Sequence, residues 1–141
     1  MNEHVLIIDD DEHFARLLSV YLSRAGFRTT VAPDGIQGQM AANRTQPDVI
    51  LMDYRMPAAS GVTVAGRLRR SSVTGYIPIV MLTGHKTHQL ESTAQEAGVV
   101  AVLSKNDLSE EQLLRTLRAA IDGGTGGSAD LDELFPSHVD G

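Results

Sequence analysis

Cysteine is absent from the sequence, which excludes disulfides, thiol catalysis and thiolate metal ligands and fits a reducing compartment. Long apolar runs are absent too. The amino terminus, MNEHVLIIDD, holds an apolar run of only four residues, too short for the hydrophobic segment of a signal peptide. No stretch approaches the roughly 18 apolar residues of a membrane-spanning helix. These absences predict a soluble, cytoplasmic protein with no membrane insertion. Positive charge is missing from one region. All 12 Lys and Arg lie in residues 1–121, beside 13 of the 18 Asp and Glu. The last 20 residues hold the other five acids and no base, so they carry nearly the whole net charge of −6. A broad anionic-lipid or nucleic-acid surface, and so direct nucleic-acid contact, is not expected from this balance. A chain of 141 residues can bury one sizeable core but not two.

Short apolar runs do recur: VLII (5–8), RTTVA (28–32), DVILM (48–52), IPIVML (77–82) and VVAVL (99–103). Amphipathic segments separate them. The clearest spans 11–25, where Phe14, Leu17, Leu18, Tyr21 and Leu22 repeat at the spacing of one helix face. Gly26 is its expected stop. The last helix repeats the pattern with Leu113, Leu114, Leu117 and Ile121, and Ser109 with Gln112 has capping-box spacing at its start. Segments 34–45, 60–70 and 86–97 read as weaker helices, the first two capped by Asp34 and Ser60. Five strands alternating with five helices predict an α/β domain with a mainly parallel sheet. From residue 123 the character changes to GGTGG, a flexible linker by composition, and then to the acidic SADLDELFPSHVDG. A phosphate-cradling glycine loop needs a strand before it and a helix after it, and neither is in place here. Leu131, Leu134 and Phe135 are spaced i, i+3, i+4 within the tail. A docking helix, a linker continuation and disorder all fit, and disorder is the reading adopted.

In open parallel sheets the ligand crevice lies outside the carboxyl ends of the strands, where the strand order reverses. Right-handed crossovers leave few possible orders. One common order, 2-1-3-4-5, is borrowed from known doubly wound sheets and makes strands 1 and 3 neighbours at the switch point. Strand 1 then delivers Asp9 and Asp10, with Asp11 and Glu12 opening the next helix. Strand 3 delivers Asp53, strand 4 Thr83 and Gly84, strand 5 Ser104 and Lys105. Singly, each has an ordinary explanation: an aspartate after a strand caps a helix, a lysine is solvated, a threonine suits a strand. Together they place three carboxylates at one edge, where they repel unless compensated. A hard divalent cation such as Mg2+ compensates them through oxygen ligands. Carboxylates, a hydroxyl and an amine at one edge describe a phosphoryl-transfer site. There a carboxylate oxygen can serve as in-line nucleophile, while metal and amine offset charge on the equatorial oxygens.

The segments VLIIDDD, VILMDYRMPAASG, PIVMLTG and AGVVAVLSK, in that order, resemble the four motifs of the receiver domain of bacterial two-component response regulators. Pro57 and Gly61 stand in their usual places, and the resemblance runs from residue 4 to about residue 122. It implies a flavodoxin-like, doubly wound fold with five helices and strand order 2-1-3-4-5. Residues 1–122 would form the receiver, and 123–141 a flexible linker and tail. It further implies that Asp53 accepts a phosphoryl group from the phosphohistidine of a histidine kinase or phosphotransfer protein, forming an acyl phosphate in His-to-Asp phosphorelay signalling. Asp10, Asp53 and the backbone carbonyl of Arg55 would bind Mg2+, with Asp9 acting through bound water. Thr83 would hydrogen-bond the phosphoryl group, and Lys105 would pair with it. Phosphorylation adds close to two negative charges. Movement of Thr83 and the following loop would then remodel the face made by helix 4, strand 5 and helix 5. The remaining partners implied are a downstream protein target, an output domain outside this chain, or a second copy in a phosphorylation-dependent dimer. No enzymatic turnover is expected beyond slow self-phosphorylation from small donors and self-dephosphorylation.

Two positions depart from the family pattern. Val102 stands where an aromatic switch residue is usual, and a valine has no ring to swing between buried and exposed states. The signal then leaves by another route, or the switch is weak. Asn106 stands where the family has a proline after a cis bond. A non-proline cis bond costs about 2.5–4 kcal/mol, so a trans Lys105–Asn106 peptide is predicted. Arg55 and His85, each two residues after a site residue, are expected to flank the phosphoryl group and tune its lifetime. His85 and His88 have helical spacing but read as surface histidines, and Arg67, Arg69 and Arg70 read as a solvated face. Two other functions compete. A haloacid-dehalogenase-type phosphatase also uses an aspartate nucleophile with Mg2+, but it needs a second aspartate where this chain has Arg55, and it needs a cap domain. A receiver-like module that binds partners without phosphorylation is favoured by Val102 and opposed by the full set of chemical residues.

Overall fold

The computed structural model describes residues 2–123. Five strands form one sheet in the order β2-β1-β3-β4-β5, every neighbouring pair parallel. They are β1 (His4–Ile8), β2 (Arg28–Ala32), β3 (Val49–Asp53), β4 (Ile79–Thr83) and β5 (Ala101–Ser104). Every residue of β1, β3 and β4 is buried, because crossover helices cover both faces of a parallel sheet. This explains why their sequences read as unbroken apolar runs. The edge strand β2 has exposed positions. Fully burying a Leu or Ile contributes about 1.5–3 kcal/mol, and Leu6, Ile7, Ile50, Leu51 and Leu82 form the centre of that core.

The helices are α1 (Glu12–Arg24), α2 (Gly35–Thr45), α3 (Gly61–Arg70), α4 (His88–Glu96) and α5 (Glu110–Gly123). The expected caps are in place. Asp34 accepts from the Gln37 amide and Ser60 from the Thr63 amide, and Ser109 Oγ accepts from Gln112 N at 3.0 Å. Gly26 takes φ +102°, a left-handed value that glycine adopts without penalty. Around it Phe27 N donates to Leu22 O and Gly26 N to Ser23 O, the paired bonds of a Schellman end.

Three details differ from the sequence expectation. Leu17 is 65% exposed, and the buried face of α1 is Ala15, Leu18 and Leu22 instead. A helix on a sheet presents a narrow stripe, and Leu17 lies one residue off it while Ala15 takes its place. α4 starts at His88, two residues later than expected, because the Thr87 side chain accepts from the Leu90 amide and caps it there. It buries one residue fully, Ala94. β4 and β5 start at Ile79 and Ala101, each two residues after the apolar runs that begin at 77 and 99.

The Lys105–Asn106 peptide is trans, as expected. No described helix is long and apolar enough to cross a membrane. The expectations for residues 124–141, including Leu131, Leu134 and Phe135, lie outside the described residues.

Candidate functional site

The strand registers bring the polar residues together. Ile8 of β1 lies beside Met52 of β3, so the residues that follow, Asp9 and Asp53, emerge at the same edge. Asp53 pairs with Leu82 across β3–β4, and Thr83 pairs with Ser104 across β4–β5. Lys105 follows directly, its amide donating to the Thr83 carbonyl at 2.8 Å. Gly61 fixes the approach behind Asp53, since a β-carbon there would sit 2.6 Å from the Asp53 carbonyl oxygen.

Lys105 Nζ lies 3.2 Å from Asp9 Oδ2 and 3.3 Å from Asp53 Oδ1. Asp9 and Asp53 are buried, and Asp10 is exposed beside them. One oxygen from each of the three carboxylates falls within 4.8 Å of the others. Three carboxylates therefore face one ammonium, an excess of two negative charges that a divalent cation would offset. The hard oxygen donors suit Mg2+. Burial raises the Asp53 pKa, the Asp9 charge raises it further, and Lys105 only partly opposes this. Burial pulls Lys105 down, but the Asp53 and Asp9 charges outweigh it and hold the amine above its ordinary value. Asp9 Oδ1 accepts the Asp11 amide at 2.9 Å. Asp9 Oδ2, buried, takes no hydrogen bond of good geometry and has the Lys105 charge as its partner.

The Thr83 hydroxyl is buried and engaged with its own loop, accepting from His85 N at 3.2 Å. The side chains of Arg55, His85 and His88 are exposed, as are Arg67, Arg69 and Arg70 at the carboxyl end of α3. Val102 is 1% exposed, within the core. Two contacts were not foreseen. The Asn106 side-chain amide donates to the Gly84 carbonyl. The Phe14 ring lies under Lys105 Nζ, with 4.5 Å from nitrogen to centroid. Phe14 had read only as part of an apolar stripe; its place in the first turn after the acidic strand end was the available signal.

An open parallel sheet with acidic residues at its switch point and a lysine reaching them from the end of β5, across β4, defines a class of α/β domains with a charged site at the carboxyl edge of the sheet. Comparison with known proteins narrows this class. Residues 5–118 match the family described as "Response regulator receiver domain", and the chain belongs to that family. It is 40% identical over 111 residues to the DNA-binding dual master transcriptional regulator RpaA of Synechocystis sp., covering 79% of this chain and 46% of that protein. Among solved structures it resembles the chemotaxis protein CheY4 of Vibrio cholerae, with a TM-score of 0.80 at 28% identity, covering 85% of this chain and 99% of that one. It also resembles the receiver domain of the sensor histidine kinase PA1611 of Pseudomonas aeruginosa PAO1, which has a magnesium ion coordinated in its active-site cleft. That likeness has a TM-score of 0.78 at 27% identity and covers 86% of this chain and 99% of that one. The chain spans about half the length of the curated relatives it matches, 46% and 51% for two of them. Five parallel strands in the order 2-1-3-4-5 with five helices are the CheY-like, flavodoxin-like arrangement.

Proposed function

We propose that this domain is a phosphoacceptor, with Asp53 as the residue phosphorylated. The carrying observation is the Asp53 carboxylate itself. It is buried at the carboxyl end of β3, 3.3 Å from Lys105 and clustered with Asp9 and Asp10. An oxygen of Asp53 attacks the phosphorus of a donor phosphohistidine. The phosphorus–nitrogen bond breaks, its electron pair stays with the imidazole, and the product is an acyl phosphate. Lys105 offsets charge on the phosphoryl oxygens from its place at the edge, and Thr83 would turn its hydroxyl from His85 to the new group. Asp10, Asp53 and the Arg55 carbonyl would hold Mg2+, with Asp9 acting through water, and the bound ion would neutralise phosphoryl oxygen charge. Arg55 and His85 would flank the group and tune its survival.

The donor is a histidine kinase or a histidine phosphotransfer protein. The receiver comprises residues 1–122, with 123–141 as linker and tail. It makes no direct nucleic-acid contact of its own, consistent with 12 bases against 13 acids in residues 1–121. The output lies with a partner protein, a second copy, or a domain outside this chain. The test is incubation with acetyl phosphate, with and without Mg2+, followed by intact mass. Wild type should gain one phosphoryl group only with Mg2+, and Asp53→Asn none. No Asp53-dependent adduct under either condition would leave the phosphorylation-independent interaction module, the reading that buried Val102 favours.

A further inference from the structure

Three residues form a closed circuit with Lys105. The Asp9 carboxylate accepts the Asp11 amide at 2.9 Å. Asp11 caps α1, and its own carboxylate accepts the Phe14 amide at 3.1 Å. The Phe14 ring lies under the Lys105 ammonium at 4.5 Å, and that ammonium returns to Asp9 at 3.2 Å. Phe14 is therefore held at its backbone by the cap and meets the site through its ring.

The ring differs from the other Lys105 partners in one respect. Asp53 would hold a divalent cation directly and Asp9 through bound water, and Asp53 loses the charge of its attacking oxygen when it is phosphorylated. Both events weaken their hold on the ammonium. An aromatic face attracts a cation through its quadrupole and binds no metal, so it keeps its hold through both. The half-buried ring also excludes water from one side of the amine, where the attraction is strongest.

We propose that Phe14 is a positioning residue of the phosphoryl-transfer site. Its ring keeps the Lys105 ammonium at the strand edge while Asp9 and Asp53 are otherwise engaged. This rests on the phosphoacceptor reading of Asp53. A purely packing role for Phe14, against the core beside it, makes a different prediction, because packing does not depend on what stands at position 105.

A double-mutant cycle with a small donor, acetyl phosphate at saturating Mg2+, separates the two and keeps kinase docking out of the measurement. Phe14→Leu should slow Asp53 phosphorylation about tenfold, and Phe14→Tyr should restore it to within about twofold. In a Lys105→Gln background, Phe14→Leu should change nothing further. Equal slowing in both backgrounds, or an unchanged rate in Phe14→Leu, overturns the proposal. A second readout needs no adduct. With Mg2+ present, the Lys105 ε-methylene proton resonances should show a ring-current shift in wild type and Phe14→Tyr that is lost in Phe14→Leu. If wild type forms no adduct, it is the phosphoacceptor reading that fails, and this resonance then decides the Phe14 contact alone. A shift that disappears when Mg2+ is added overturns it.

Discussion

The side-chain amide of Asn106 donates to the carbonyl of Gly84 at 2.8 Å, tying the loop after Lys105 to the loop after Thr83. Beyond the last backbone bond of the β4–β5 ladder, from Lys105 N to the Thr83 carbonyl, this contact gives the two loops a second link. Asn106→Ala should lower stability by about 0.5–1.5 kcal/mol, the net value of one hydrogen bond, read from the urea midpoint. The same variant should speed amide exchange at Gly84 and His85. A variant with unchanged exchange there would show that the backbone alone couples the loops.

Asp53→Asn should stabilise the metal-free protein at neutral pH, on the order of 1 kcal/mol as for an ordinary single-site effect. The sign follows from the raised pKa, caused first by burial and then by Asp9. A carboxyl whose folded pKa exceeds its unfolded value of about 3.9 binds more protons when folded. Stability is then lost as pH rises through that window. The advantage of Asn over Asp should therefore vanish below the window, which thermal melts at stepped pH would show. Mg2+ at about 100 times its Kd should add about 2.7 kcal/mol to wild type and far less to the variant.

His4 gives a pH dependence of the opposite sense. It is buried in β1 with Nε2 2.7 Å from Thr30 Oγ1, and burial lowers its pKa, aided by the Arg28 charge and opposed by Asp48. The unfolded chain then binds more protons just below about pH 6.5. Stability is full above that value and falls as pH is lowered through the folded pKa, with a slope of at most about 1.4 kcal/mol per pH unit. His4→Gln should flatten this part of the stability–pH curve; an unchanged curve would mean that His4 does not titrate on unfolding.

Ala58 adopts φ +72°, a left-handed conformation that costs an L-residue about 1–2 kcal/mol. Its side chain is exposed, so little packing is lost on removing it. Ala58→Gly should stabilise the fold by up to about 1 kcal/mol, after allowing for the greater freedom of glycine in the unfolded chain. Equal unfolding midpoints for the two proteins would contradict this.

The sheet was legible because burial on both faces leaves no room for alternation, so 5–8, 48–52 and 77–82 read as strands; their central places were not legible, since VVAVL (99–103) reads the same way and forms the edge strand β5. The caps at Asp34, Ser60 and Ser109 were legible because capping is local. The residues gathered at the edge were legible only once a strand order was supplied, since no single motif brings Asp9, Asp53 and Lys105 together. Leu17 was misplaced because periodicity gives a face but not its width. Phe14 under Lys105 and Asn106 on Gly84 join residues 91 and 22 positions apart. These depend on side-chain directions that spacing does not encode.

α4 is anchored to the body of the domain by one fully buried side chain, the methyl group of Ala94. Re-exposing one methyl-sized group costs about 0.8 kcal/mol, comparable to thermal energy. Full burial therefore contributes little to seating α4, and a binder that discriminated between two positions of this helix by about 1.4 kcal/mol would shift their ratio tenfold. Every position of β4 is buried, whereas the helix after Thr83 buries one side chain fully, so a ligand acting on this part of the fold would meet far less resistance from α4 than from the sheet.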